Sequence, residues 1–113
     1  MTLRFGQVLG LRPERLAEYR AAHAAVWPEI LAALTEAGIR NYSIFHHDGK
    51  LFGYYEYIGP PEEYAARMEK LARAPRMREW WDWMEPMQVP LDTREPGSWW
   101  ATMDEVFHHD GHD

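Results

Sequence analysis

Hydrophobic and polar positions alternate at the start of the chain, where Leu3, Phe5, Gln7, Leu9 and Leu11 interleave with Arg4, Gly6, Val8 and Gly10. A period of two is that of extended backbone and predicts a first strand, with Gly6 and Gly10 leaving room beside it. The period then changes. After Arg12-Pro13-Glu14, whose proline and acid suit the first turn of a helix, Leu16, Tyr19, His23, Val26, Trp27, Ile30 and Leu34 fall on one side at ~100° per residue. This predicts a helix to about Ala37, bent one turn after His23, because Pro28 has no N–H to give the carbonyl of Ala24. Gly38 is a left-handed stop, and a second strand follows from Ile39 to His46 or His47. Asp48-Gly49 predicts a hairpin turn into a third strand, Lys50 to Ile58, with large groups on both faces.

Gly59-Pro60-Pro61 ends the strand, and a second helix is expected from Glu62 to Arg73, restarted at Ala74-Pro75. Met77, Trp80, Trp81 and Met84 have the i, i+3, i+4, i+7 spacing of one helical face, with Trp83 pointing elsewhere and Pro86 as the stop. The proline-rich stretch from Met87 to Ser98 reads as a loop or extended arm. Met103, Glu105 and Phe107 alternate with Asp104, Val106 and His108 in a last strand before a polar tail from about residue 109. The order β-α-β-β-α-β, with its second helix broken in two, is that of an α+β, ferredoxin-like sandwich. One face of such a sheet is covered by helices. The other would carry large apolar residues, which a homodimer would bury.

Composition narrows the partners. At 113 residues the chain suits a single domain, residues 1–113. A net charge of −6 with dispersed Lys and Arg excludes a nucleic-acid footprint, and no apolar run nears the roughly 18 residues of a membrane span. The absence of cysteine removes disulfides and thiol chemistry and fits a cytoplasmic protein. Six tryptophans and six tyrosines are a heavy aromatic load, suited to a core or to a ligand pocket.

His23 is the sharpest chemical candidate. A histidine in an apolar stripe is either a hydrogen-bonded core residue or a proton carrier that titrates near neutral pH. Tyr19, one turn earlier on the same side, offers a hydroxyl to a ligand or to the imidazole. Trp80 and Trp81 are either core or the flat walls of a sugar pocket, and Asn41-Tyr42 either begin an ordinary strand or face a cleft. His46-His47 and His108-His109 with His112 match no metal-ligand frame. Glu18, Glu29, Glu56 and Glu105 serve equally well as surface or site carboxylates. No nucleophile elbow or phosphate-binding glycine loop is present.

Taken together, Glu18-Tyr19, His23, Trp27-Pro28-Glu29, Asn41-Tyr42, Trp80-Trp81 with Met84, and Glu105-Val106-Phe107 resemble the L-rhamnose mutarotase family over nearly the whole chain. The resemblance implies a dimeric α/β barrel of ferredoxin-like subunits. It also implies a cytoplasmic homodimer without cofactor or metal, and interconversion of the α and β pyranose anomers of L-rhamnose. It assigns His23 as proton donor, with Tyr19, Tyr42, Trp80 and Trp81 binding the sugar. Trp99-Trp100 and the polar tail depart from the family pattern, so that either tryptophan pair is placed to line the cleft, or the later pair to anchor an arm on a partner. The same architecture carries cofactor-free and haem-degrading oxygenases, and a non-catalytic small-ligand sensor is the alternative outside enzymes.

Overall fold

A computed structural model describes residues 2–111, so His112 and Asp113 lie outside the described residues. The chain forms strand β1 (Thr2–Leu11), helices α1 (Leu16–His23) and α2 (Pro28–Glu36), and strands β2 (Ile39–His47) and β3 (Lys50–Ile58). Helices α3 (Tyr64–Arg73) and α4 (Pro75–Met84) follow, then two short strands, β4 (Gln88–Val89) and β5 (Ala101–Met103). The antiparallel sheet has the order β2-β3-β1-β4, and β5 pairs with β1 beside β4. With its last strands against β1 and two helical segments in each crossover, this is the expected ferredoxin-like βαββαβ arrangement. None of its helices is long and apolar enough to cross a membrane, among the described residues.

The long β1–β3 ladder follows from the alternation. Leu3 faces Tyr57, Phe5 faces Tyr55, Gln7 faces Gly53 and Leu9 faces Leu51, so one parity of both strands shares the helix-covered side. Leu9, Leu51 and Tyr57 are fully buried there, and Leu9 and Leu51 pack with Leu11, Tyr19, Ile30, Met77, Trp80, Met84 and Met87. Asp48 and Gly49 both have positive φ, 53° and 75°, which makes the tight turn of the β2–β3 hairpin. Gly10 meets the room expected of it: a Cβ there would lie 2.6 Å from the carbonyl oxygen of Val89, so only glycine lets β4 pair so closely.

Three expectations are corrected. The first helix does not bend at Pro28; it ends at His23 and a new helix starts with Pro28 in its first turn. A residue before proline is pushed out of the helical region, and Trp27, with φ −57° and ψ 134°, is extended. Ala74 before Pro75 adopts the same conformation, and there the restart was legible. Second, the stretch from Met87 is not all loop, because Gln88 and Val89 pair with Leu11 and Gly10. Third, the last strand is Ala101–Met103 rather than Met103 to His108, since pairing with β1 stops at Gly6↔Met103. The described residues beyond it have no ladder, leaving Val106 and Phe107 95% and 81% exposed.

Candidate active site

Between the helices and the covered face of the sheet lies a cleft of 1080 Å³, and Tyr19, His23, Tyr42, Trp80 and Trp81 all line it. The sequence therefore placed its five site candidates around one space. Two walls face each other across it.

The helical wall is built on the last turn of α1. Tyr19 and His23, four residues apart, project from one side, and their rings stack at 4.2 Å between centroids. His23 Nδ1 lies 2.9 Å from the carbonyl oxygen of Tyr19. A carbonyl only accepts, so Nδ1 carries the proton, and the lone pair of the neutral ring sits on Nε2. No side chain or backbone group among the described residues bonds Nε2, and no buried side-chain polar atom among them lacks a partner, so Nε2 is an accessible atom of a ring that lines the cleft. Partial burial pulls the His23 pKa below the usual 6.5, while the Tyr19 carbonyl pulls weakly the other way. His23 is therefore neutral at pH 7.

The tryptophans of α4 complete this wall. Trp80 is buried and makes T-shaped contacts with His23 and Trp27, at 5.3 Å and 5.2 Å between ring centroids. It is at once core and ring support for the histidine. Trp81, half-buried, packs on the edge of that core and lines the cleft. Trp83 points away as expected, stacking on Trp27 and donating Nε1–H to Glu18 at 3.0 Å.

The sheet wall depends on a bulge. Arg40 pairs with Glu56 and Ser43 with Tyr54, so Asn41 and Tyr42 together oppose the single residue Tyr55. Asn41 takes the left-handed conformation, φ 52°, which asparagine tolerates, and its Nδ2 donates to Glu56 at 2.8 Å. The extra residue turns Tyr42 to the cleft, 5.3 Å from the Tyr55 ring, with Gln7 Nε2 donating to its hydroxyl at 3.2 Å. Desolvation raises the Tyr42 pKa far above that of free tyrosine, so it is a neutral phenol at pH 7. Opposite Gln7, Gly53 leaves space that a side chain would take: a Cβ would sit 3.2 Å from Gln7 Cγ and 3.4 Å from the Trp100 ring.

Trp99 and Trp100 also line the cleft. Trp99 Nε1 donates to Gln88 Oε1 at 2.8 Å, and Gln88 Nε2 donates to the Tyr19 hydroxyl at 3.2 Å. Gln88, the buried polar side chain of the core, was not anticipated; neither was Gln7. The signal for Gln7 was its parity with Phe5 and Leu9 on β1.

A family model described as L-rhamnose mutarotase matches residues 4–109. The chain belongs to the L-rhamnose mutarotase family. It is 39% identical over 110 residues to the L-rhamnose mutarotase of Lactiplantibacillus plantarum, covering 96% of this chain and 99% of the relative. It is 34% identical to that of Oceanobacillus iheyensis, covering 95% and 98%. The fold is similar to the crystal structure of L-rhamnose mutarotase from Formosa agariphila, with a TM-score of 0.73 and 23% identity over 96% of this chain and 99% of that one. Family membership and the resemblance read from the sequence thus agree.

The remaining candidates are engaged elsewhere. Glu18 is held by Trp83 and Arg15, Glu56 by Asn41 and Tyr54, and Glu105 by Arg4, and each of these partners lowers the carboxyl pKa. Glu29 lies 3.4 Å from Arg76. None of the four lines the cleft; the acid that does is Glu85, just after α4. No group of three or more metal-ligand side chains gathers anywhere among the described residues. His108 lies near Glu105 and Asp110, whereas His112 is outside the described residues.

Proposed function

We propose that the protein interconverts the α and β pyranose anomers of L-rhamnose, with His23 carrying the proton. The observation that carries this reading is His23, whose Nδ1–H is fixed on the Tyr19 carbonyl and whose ring, with Nε2 bonded to no protein group among the described residues, lines an aromatic cleft. Opening the ring requires loss of the anomeric O–H proton and protonation of the ring oxygen. Nε2 takes the proton from the anomeric hydroxyl, the electron pair left on that oxygen forms the carbonyl, and the bond between the anomeric carbon and the ring oxygen breaks. The imidazolium, acidified by its burial, is then the proton donor to the ring oxygen. Both oxygens are bonded to one carbon, so a single imidazole edge serves both. Rotation of the aldehyde and the reverse sequence close the ring on the other face.

In this scheme Tyr19 and Tyr42 bind sugar hydroxyls and oxygens, while Trp80 and Trp81 present apolar faces to the C–H surface and methyl group of the 6-deoxy sugar. Saturation-transfer NMR on equilibrated L-rhamnose tests it directly, the expected result being faster exchange between anomer signals on adding protein. Sugar binding without faster exchange would instead mark a sensor, and a Soret band on haem titration an oxygenase.

The active form in this reading is a cytoplasmic homodimer acting in rhamnose metabolism. Support for the dimer comes from the register of the sheet face away from the helices, along which Phe45, Ile58 and Met103 are 65%, 40% and 36% exposed. Light scattering at micromolar concentration is expected to give twice the mass of the chain, 13.3 kDa; a monomer mass would remove the dimer.

A further inference from the structure

An indole N–H donates and never accepts, which gives the bond from Trp99 Nε1 to Gln88 Oε1 a consequence for Tyr19. The Gln88 carbonyl oxygen is committed to Trp99, so the amide cannot turn over, and its NH₂ faces Tyr19. Toward that NH₂ the Tyr19 hydroxyl acts only as acceptor. Its own proton is taken by no other side chain or backbone group among the described residues.

We propose that Gln88 and Trp99 are positioning residues that fix the polarity of Tyr19, turning its O–H into the cleft as a donor to a sugar oxygen beside the one that His23 serves. The proposal rests on the reading of the cleft as a sugar mutarotase site. It gives the otherwise unassigned Trp99 a task and joins the late loop, Pro90 to Trp100, to the last turn of α1. Gln88 suits the task because β4 pairs it with Leu11, which places it on the covered side of the sheet, 7% exposed. Donation from Gln88 also opposes, weakly, the rise that burial imposes on the Tyr19 pKa. The second tyrosine is held alike, since Gln7 Nε2 donates to the Tyr42 hydroxyl.

The test uses the isosteric Gln88→Glu. A carboxylate still accepts from Trp99 but draws the Tyr19 proton onto itself, reversing the hydroxyl. Gln88→Leu loses both hydrogen bonds yet leaves the proton free for the sugar. With mutarotation of L-rhamnose as the readout, Gln88→Glu is expected to lower kcat/KM about three- to tenfold, the effect of one lost neutral hydrogen bond, and Gln88→Leu less. The same loss is expected of Tyr19→Phe, and the double variant Tyr19→Phe/Gln88→Glu should lose no more than Tyr19→Phe alone. A multiplicative loss in the double variant, or a larger loss in Gln88→Leu than in Gln88→Glu, would overturn the proposal.

A second readout needs no sugar and so stands even if rhamnose is not the substrate. In protein with isotope-labelled tyrosine, the Tyr19 Cζ signal, identified by its absence in Tyr19→Phe, should move toward the phenolate position in Gln88→Glu. An unmoved signal overturns the proposal independently of activity. Absence of mutarotation in the wild type alongside a moved signal would sink the sugar reading and leave the Tyr19 polarity standing. Trp99→Phe, on a residue 37% exposed, releases the amide and should give an intermediate shift in a protein whose folding is little disturbed.

Discussion

The two walls of the cleft are made differently. On the helical side, Tyr19 and Trp80 are buried, and His23 is locked by a backbone carbonyl and two aromatic rings. On the sheet side, Tyr42 is 38% exposed and is held by one bond from another side chain, at the crest of a bulge. A titrating group is of use only where its tautomer and surroundings are fixed, and the helical wall supplies that. The sheet wall holds neutral phenols and an amide, groups that recognise oxygen atoms without exchanging charge. On the proposed reading, proton chemistry belongs to the helical wall alone, whereas recognition draws on both sides of the space, Tyr19 and the tryptophans on one and Tyr42 on the other.

The largest expected effect falls on the helical side. His23→Ala should lower the rate of anomer exchange by about 10²- to 10⁴-fold, measured by polarimetry with the fold checked by circular dichroism. Wild-type rates in a folded variant would end the assignment. An equal loss in Glu85→Gln would move the base to that carboxylate. The pH dependence follows from the depressed pKa: the catalysed rate should be flat around pH 7 and decline as the pH falls below 6.5 through the lower value of His23. Stability should fall over the same interval, because the unfolded chain binds the proton first, and should be fully present above it.

A smaller effect separates contact from core. Trp81→Ala should weaken L-rhamnose binding about two- to tenfold by calorimetry, the scale of one aromatic contact, with Tyr42→Phe toward the lower end of that range. Neither should move the thermal midpoint as Trp80→Ala does, where truncating a buried tryptophan costs about 3–5 kcal/mol. Equal loss of stability in Trp81→Ala and Trp80→Ala, with sugar affinity unchanged in Trp81→Ala, would place Trp81 in the core beside Trp80.

What could be read from the sequence tracks how local its cause is. The β1–β3 ladder, the Asp48-Gly49 turn and the face of α4 follow from periods and turn residues, and the structure has them where the pattern placed them. The bulge at Asn41 had only a faint mark: Ile39 and Ile44 share the covered side although their numbers differ in parity. The last strand was misread because alternation marks a chain able to be a strand, whereas pairing with β1 decides that it is one. Gln7 and Gln88 were passed over for a similar reason. A glutamine announces nothing until a tyrosine arrives opposite it from 35 or 69 residues away.

The bond from His23 to the carbonyl of Tyr19 spans four residues and ends within α1 itself. The tautomer that the proposed reaction calls for is thus written into a single turn of helix and borrows nothing from the sheet. Such a unit is modular: substitutions at Gln7 or Tyr42 on the sheet would leave this turn of helix and its hydrogen bond intact.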